Sequence, residues 1–430
     1  MLFRTGFLFT RPSLMRFTDA LATDVLMYAI PLLVLTTTGS ASLTGLAFLL
    51  EWIPRLCAFG IGGPLVDRYR ADRVFRTASA VRAVLLGAAA VVMAVLPAGG
   101  ALTTAAVMTI GAVSGFLAQA SFVAVETIGA EVSRGAGDQA HRVQSVQIGI
   151  DQSTLLIGPL LGGLLLLGGP SVLLTLVAGL SAAGAIVALQ LKPGLVGTTA
   201  ETQSVVASLG AGWRTMCAIP ALGWLVAGLA ASNFATGMVQ ASAPITIVQG
   251  FGASTLTVGA IWSGAGLVSL AAVAASRRLI DRQGLWAVGA AGAATACVAT
   301  LGVALAPGLS TYAVTIGVMM AGEGALTVVL RTLRARLIPA AVFGSVLSVT
   351  IVLIIVPLPV AGALVAALPV AALPAVLIAC AVLQALALGF SFRGLRRHRN
   401  SYTPHPAADR AETQPAAASL PTGLAAPDAA

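Results

Sequence analysis

The sequence predicts an all-α membrane protein in which twelve transmembrane helices form two pseudo-symmetric six-helix bundles. Three observations support this fold class. First, 58% of the 430 residues are hydrophobic and only 9% are charged, whereas about 25% of the residues of a soluble protein are charged. Second, the apolar residues fall into twelve long runs. Third, the connecting loops alternate between basic loops and loops without lysine or arginine, as cytoplasmic and external loops do.

Each apolar run has the length of a transmembrane helix. About 20 apolar residues cross a hydrocarbon core of about 30 Å, and these runs are too long and too uniformly apolar to be barrel strands. In chain order, the predicted spans are Leu14–Thr37, Leu43–Val66, Val74–Leu96, Leu102–Glu126, Val143–Leu167, Val172–Leu191, Leu222–Val248, Leu256–Leu279, Leu285–Ala306, Thr311–Arg331, Val342–Leu368 and Val370–Phe392.

The loops that follow the odd-numbered spans contain no lysine or arginine. They are Thr36–Ser42, Pro97–Gly100, Gly168–Ser171, Gln249–Ser254, Pro307–Ser310 and a short link near Pro369. Nearly all of the 24 basic residues lie in the other loops and in the termini. Because basic loops stay on the cytoplasmic side, both termini are predicted to be cytoplasmic, in a bacterial-type cytoplasmic (inner) membrane.

The net charge of +9 does not predict a nucleic-acid partner. The basic residues lie in short loops beside apolar spans and form no continuous patch, which nucleic-acid binding requires. The anionic cytoplasmic face of a bilayer accounts for them. Membrane lipid is therefore the expected partner of these loops.

The chain divides into two bundles, a linker and a tail. A polar stretch that includes Pro193-Gly194 separates the first six spans from the last six, and the end of the chain is rich in alanine and proline, a composition typical of disorder. The predicted units are an N-terminal bundle (1–192), a cytoplasmic linker (193–219), a C-terminal bundle (220–395) and a disordered cytoplasmic tail (396–430).

The two halves repeat a short motif. The pair Asp67-Arg68 stands between spans two and three, and the pair Asp281-Arg282 stands at the corresponding place between spans eight and nine. Two parallel repeats of six spans, with a substrate site at their interface near the midplane, are a known plan for transporters.

The segment from Gly63 to Arg68, followed by Arg73, resembles the signature loop of the major facilitator superfamily, which runs Gly-x-Leu-Ala-Asp-Arg-x-Gly-Arg-Lys. The chain departs from this pattern at two places: Arg70 replaces the second glycine, and Ala71-Asp72 replaces the basic Arg-Lys pair. The resemblance extends over all twelve spans and implies the major facilitator fold, with alternating access between the two bundles.

A second segment resembles the antiporter motif of the same superfamily. Residues 158–163 of span five match its Gly-Pro-x-x-Gly-Gly core, although Thr154 replaces a glycine expected before it, and span four lacks the superfamily's basic residue. The run Pro31–Leu35 resembles the bacterial branch of siderophore and drug exporters. The candidate hinge consists of Gly158, Pro159, Gly162 and Gly163.

Charged residues inside the spans are candidates for a mechanism, because a charge in the membrane is costly unless it is paired or hydrated. At about 1.5 Å per residue, Asp24 and Arg55 both lie roughly 15 Å from the cytoplasmic ends of their spans, and Asp151 lies about 12 Å into span five. Glu51 shares a helix face with Arg55. We predict a midplane cluster in which one carboxylate, Asp24 first, carries a proton. The alternative is a static ion pair that fixes helix packing.

Charged residues at the cytoplasmic ends of the spans are candidates for a gate. Glu126 lies near the end of span four and is predicted to form a lock with Asp67 and Arg68; the alternative is a solvated interfacial acid. The resemblance implies a lock as well, because the signature loop holds the inner gate shut in outward-facing members. The other gate and signature candidates are Gly63, Arg73, Asp281 and Arg282.

Three polar residues of the second half are candidates for lining the substrate cavity. Asn233 and Gln240 lie two turns apart on one face of span seven, and they line the cavity or bond between helices. Glu323 lies between two glycines, which permit close approach of another backbone or of a ligand.

The sequence lacks the motifs for nucleotide hydrolysis and for metal binding. The chain has no Gly-Lys-Ser/Thr phosphate loop and no His-Glu-x-x-His spacing, so neither nucleotide hydrolysis nor a metal or other cofactor is expected. The expected function is that of a secondary transporter, not an enzyme, which exports a siderophore-like metabolite or drug in exchange for protons. The alternatives are an importer or facilitator of a small solute and a transport-dead membrane sensor.

Overall fold

The computed structural model describes residues 10–95, 100–135, 140–191, 205–338 and 343–398. Every regular element in these ranges is helical, which confirms the all-α prediction. The α-helices are α1 (Arg11–Thr38), α2 (Ala41–Tyr69), α3 (Ala71–Val95), α4 (Ala101–Gly135), α5 (Ala140–Leu167), α6 (Pro170–Leu189), α7 (Val205–Ala218), α8 (Pro220–Ile245), α9 (Thr255–Gln283), α10 (Leu285–Ala304), α11 (Leu309–Leu337), α12 (Phe343–Ile355), α13 (Pro357–Ala367) and α14 (Leu373–Arg397).

Twelve helical segments of the described chain are long and apolar enough to cross a membrane, as predicted. Helices α12 and α13 together form the eleventh, which breaks at Val356 because Pro357 lacks an N–H and its ring clashes with the preceding turn. Helix α7 lies inside the stretch predicted as a linker and packs against α12 and α8. The predicted tail from residue 399 onward lies outside the described residues.

The turn between α1 and α2 is only two residues long. Gly39 ends α1 with φ +65°, and its N–H donates to the carbonyl of Leu35 over 2.8 Å. The Ser40 hydroxyl accepts a hydrogen bond from the Leu43 N–H over 3.2 Å and caps α2. The two helices are therefore tightly connected antiparallel neighbours.

The predicted signature loop is mostly helix. Helix α2 continues past the predicted end of span two through Asp67 and Arg68 to Tyr69, so that Arg70 alone connects it to α3. Arg70 has φ +68°, a conformation that favours glycine. The superfamily signature has glycine at this position. Arg70 therefore replaces glycine in a turn whose backbone conformation favours glycine.

The helices form two bundles, α1–α6 and α8–α14, which meet along two pairs of helices, α5 with α9 and α2 with α13. We call the side on which α1 begins and α14 ends the terminal side, and the opposite side the distal side. The distal ends of the two bundles are in direct contact: the Ser42 hydroxyl donates to the Ala366 carbonyl over 2.5 Å, and the Gln249 amide donates to the Gly39 carbonyl over 2.7 Å.

An apolar seal lies beneath these contacts. One core cluster combines Leu32 and Phe48 of the first bundle with Trp262 and Tyr312 of the second. The distal half of the interface is thus closed by both hydrogen bonds and buried apolar surface, which leaves the terminal half for a cavity.

Candidate functional site

A cavity of about 350 Å³ lies in the terminal half of the protein, largely on the first bundle. Its lining extends to Arg16, about one and a half turns from the start of α1. The second bundle contributes Ile355 of α12 to the lining. The polar residues that line it are Arg16, Asp19, Thr23, Asp24, Arg55, Gln119, Asp151, Gln152 and Thr154. Four of the five helices that contribute to it belong to the first bundle, and its wall carries both acids and arginines.

Arg16 holds two acids from two other helices. Its guanidinium donates to the carboxylate of Asp151 on α5, with Nε–Oδ1 2.7 Å and Nη2–Oδ2 2.5 Å, and also to Glu126 on α4. Arg16 is buried, whereas both acids are partly exposed. The arginine therefore connects α1, α4 and α5 at the terminal end of the cavity, and bidentate geometry makes this connection specific.

Arg82 of α3 forms a second, more deeply buried pair. Its Nη1 lies 3.4 Å from Asp19 Oδ1 and 3.1 Å from the hydroxyl of Thr23, both on α1. Only 1% of the Arg82 side chain and 8% of the Asp19 side chain are exposed. A charge this deeply buried requires its partner, so the pair fixes α3 against α1.

Arg55 and Glu51 form the third pair, one turn apart on α2, with Nη2–Oε1 2.8 Å. The guanidinium also lies 5.3 Å from the centre of the Trp52 ring, within range of a cation–π interaction. Helix α4 covers the pair at Gly115, where a Cβ would lie 2.8 Å from the Glu51 carbonyl. Arg55 reaches the cavity, whereas Glu51 is buried behind it.

Asp24 also lines the cavity, but it differs from the other acids. Among the residues that the structure describes, it has no ion pair. Thr154 lines the same cavity, but its hydroxyl donates to the Asp151 carbonyl over 3.0 Å. Helix α5 approaches it so closely that a Cβ on Gly158 would lie 2.6 Å from the Asp24 Cβ. The carboxylate therefore faces a cavity without a cation of its own.

The midplane acids predicted from sequence are thus close together but differently paired. Asp24, Arg55 and Asp151 line one cavity. Arg55 pairs with Glu51, and Asp151 pairs with Arg16, a residue that the sequence analysis did not select. Glu51 and Arg55 form an ion pair in this structure, and proton exchange at Asp24 stays a prediction.

The gate candidates lie at the terminal side. Glu126 is bonded to Arg16, while the side chains of Asp67 and Arg68 and the surroundings of Gly63 lie outside the described part of the structure, so the predicted lock stays a prediction. The remaining three, Arg73, Asp281 and Arg282, are exposed near the helix ends.

The second bundle contains a buried polar network around Glu323 of α11. The Ser232 hydroxyl donates to Glu323 Oε1 over 2.6 Å, and the Gln384 amide donates to the same oxygen over 2.9 Å. The Thr300 hydroxyl donates to Gln384 Oε1 over 3.0 Å. Gly322 permits α10 to approach closely, since a Cβ there would lie 2.6 Å from the Ala296 nitrogen. Four helices are thus joined around one carboxylate.

The other two cavity candidates are placed differently. Asn233 donates to the Ile354 carbonyl over 2.8 Å, at the break between α12 and α13, and so bonds between helices. Gln240 lines a small pocket of about 20 Å³ between the bundles, with Tyr28, Phe48 and Trp262 among its neighbours. Neither residue lines the larger cavity.

The candidate hinge segment contacts both bundles. A Cβ on Gly162 would lie 3.1 Å from the Val25 carbonyl of α1, and one on Gly163 would clash with the Thr255 carbonyl of α9. The backbone carbonyl of Pro159 contacts α9 as closely at Gly259. These glycines therefore permit backbone contact between α5 and two helices, whether or not the segment also bends.

Two arginines of the site, Arg16 and Arg82, were missed by the sequence analysis. Arg82 lies inside predicted span three and carried the same signal as the acids, namely a charge within an apolar run. Arg16 lies near the start of α1, where a basic residue is equally well explained by the cytoplasmic side. Only the packing of α1, α4 and α5 shows that Arg16 is a buried site residue and not one more basic residue of the cytoplasmic side.

The fold and this charged cavity define a polytopic membrane transporter. A family profile described as the Major Facilitator Superfamily matches residues 13–354, and the chain belongs to that superfamily. No curated protein sequence matches the chain.

Solved transporter structures share the fold. A bacterial homologue of the iron transporter ferroportin, in an inward-facing state, has a TM-score of 0.71 at 14% identity, over 88% of this chain and 97% of that one. A bacterial homologue of the human lysosomal transporter Spinster, inward-facing and unoccupied, has a TM-score of 0.66 at 12% identity, over 93% and 98%. The nucleoside transporter NupG has a TM-score of 0.65 at 14% identity, over 92% and 98%.

Proposed function

We propose that this transporter exports a small organic molecule, such as a siderophore-like metabolite or a drug, in exchange for protons. The observation that carries the proposal is the pairing of charges around the cavity. Three arginines pair with Asp19, Glu51, Glu126 and Asp151. Asp24 faces the same cavity and has no ion pair among the described residues. A carboxylate in that position binds a proton without breaking an ion pair.

The arrangement of the bundles supports alternating access. Their distal ends are sealed, and the cavity lies in the terminal half, which the loop charges predict to be cytoplasmic. Cargo would enter this cavity from the cytoplasm. Protonation of Asp24 would then favour one facing state and cargo the other, which is the differential affinity that coupling requires.

The lining of the cavity supports an amphiphilic cargo. Arg16, Gln119 and Asp24 supply polar groups, while Phe122 and Leu155 supply apolar surface within the same cavity. Pockets for small organic molecules combine a largely apolar wall with a few polar groups that fix orientation.

The test measures accumulation in inverted vesicles under an imposed proton gradient, with a siderophore-like chelator and an amphiphilic fluorescent dye as cargoes. A neutral solute exchanged for one proton across about 100 mV would accumulate up to about forty-fold. The Asp24→Asn variant should equilibrate cargo without accumulating it, because it cannot carry the proton. Asp409→Asn, which makes the same substitution in the predicted cytoplasmic tail, is the matched control and should accumulate cargo normally.

Two outcomes would overturn the proposal. Equal gradient-dependent accumulation by the native chain and Asp24→Asn would remove Asp24 from coupling. Accumulation in right-side-out vesicles under an inward proton gradient would favour the importer, which is the alternative for the same fold.

A further inference from the structure

A second cavity, of about 380 Å³, lies on the outer surface of the N-terminal bundle. It is a groove between α2 and α3 with α4 as its floor, and it shares no lining residue with the cavity between the bundles. Tyr69, Arg73 and Arg76 surround its terminal end, and Val81 and Phe116 lie further along it. The groove is therefore a separate site, outside the transport pathway described above.

The groove faces the membrane. Helix α3 packs against α2, α4 and α6, all in its own bundle, and Tyr69 and Val81 are 49% and 42% exposed at the groove. In a protein with twelve membrane-spanning segments, apolar surface on the outside of a bundle contacts lipid. The start of α3 lies on the terminal side, so the basic end of the groove is at the level of lipid headgroups.

The charges of the groove select an anion. Arg73 and Arg76 are exposed and lie three residues apart, hence on neighbouring positions of one helix face. Among the described residues neither has an ion pair, and Asp72, the adjacent acid, is paired with Arg70 over 3.1 Å. Guanidinium groups bind phosphate oxygens in a bidentate manner, so two exposed arginines with no ion pair in the described part of the chain suit a phosphate group at this level.

The remainder of the groove is apolar. Beyond Arg76 the lining continues through Val81 on α3 and through Phe116 and Leu117 on α4. The distance along α3 from Arg76 to Val81 is about 8 Å, directed from the headgroup level into the hydrocarbon. A free phosphate would use only the basic end, whereas a phospholipid would use both.

We propose that this groove binds an anionic phospholipid, with the phosphate at Arg73 and Arg76 and an acyl chain along Val81 and Phe116. Basic pockets between membrane-spanning helices on the cytoplasmic side recognise such headgroups. The proposal does not depend on the cargo or on proton coupling.

The test measures lipid binding to the purified full-length protein by native mass spectrometry, with phosphatidylglycerol and phosphatidylcholine added separately. The native chain should prefer phosphatidylglycerol. The double variant Arg73→Gln/Arg76→Gln should lose roughly 30-fold in affinity for it, because each arginine near the surface contributes a similar part of the electrostatic binding free energy. Val81→Trp, which fills the apolar part without changing the charge, should also weaken binding.

The matched control is Arg393→Gln/Arg397→Gln, which removes the same charge from exposed positions near the end of α14, on the same side. It should bind phosphatidylglycerol like the native chain, and size-exclusion chromatography confirms that each variant is folded. Equal loss in both double variants would show unspecific attraction and overturn the proposal. Equal binding of the two lipids, or full competition by inorganic phosphate, would overturn it as well.

Discussion

The pair of Arg82 and Asp19 offers the sharpest test of how charge is held inside the first bundle. We expect Arg82→Met and Asp19→Asn each to destabilise the protein, because each leaves the other charge buried without its partner. The double variant Asp19→Asn/Arg82→Met should be more stable than either single variant. It loses the same ion pair but leaves no charge uncompensated.

The magnitude follows from burial and distance. Breaking a buried ion pair by removing one partner costs about 3–5 kcal/mol. Arg82 is 1% and Asp19 8% exposed, so solvent screens the remaining charge poorly. The Nη1–Oδ1 distance of 3.4 Å exceeds the roughly 2.7–2.9 Å of a strong charge-assisted bond. We therefore expect about 3 kcal/mol for each single variant and no more than about 2 kcal/mol for the double variant.

The assay is equilibrium unfolding in mixed detergent micelles, followed by circular dichroism, for the native chain and the three variants. Arg70 and Asp72 provide the matched control, because their pair at 3.1 Å is about one quarter exposed on both sides. An equivalent cycle there should give a coupling of about 0–1 kcal/mol. If the effects of the Arg82 and Asp19 substitutions simply add, the two charges are stabilised independently and the reasoning is wrong.

Two further substitutions test the interfaces. Gly163→Val places a Cβ against the Thr255 carbonyl, so it should separate α5 from α9 at the distal side; spectroscopic distances between labels on the two bundles should lengthen there, and an unchanged distance distribution would contradict the predicted clash. Asn233→Leu leaves the Ile354 carbonyl without its amide donor and should cost about 1–3 kcal/mol in the same unfolding assay; no loss would mean that this carbonyl has another partner.

The spans could be predicted because membrane insertion imposes a local rule. Each helix must satisfy its own backbone hydrogen bonds in lipid and must be long enough to cross it, so length and apolarity are visible in the sequence alone. The ends were less accurate. Helix α2 continues to Tyr69, where a loop was expected, because helical hydrogen bonding persists beyond the apolar run. Helix α7 was not predicted, since polar and apolar residues alternate too often in this segment for it to resemble a membrane span.

The site was predictable in part. A carboxylate such as Asp24 or Glu323 is easily recognised within an apolar run, because a charge in the membrane has a high free-energy cost. Both residues occupy polar environments in the structure. Pairing between helices was not predictable, because it depends on which helices are neighbours. Glu51 and Arg55 share a helix face in the sequence and form a pair, whereas the pairs of Arg16 with Asp151 and Glu126 join different helices.

The sequence by itself determined the class of protein, the twelve spans and the polar residues inside them, since each is set by how a single segment behaves in lipid. Tertiary structure decided which charges meet. Arg16 joins Asp151 and Glu126 across three helices, and Asp24 faces the cavity with no ion pair among the described residues. These facts depend on the rotation and packing of whole helices, which glycines such as Gly115 and Gly158 permit at distances that no single segment specifies.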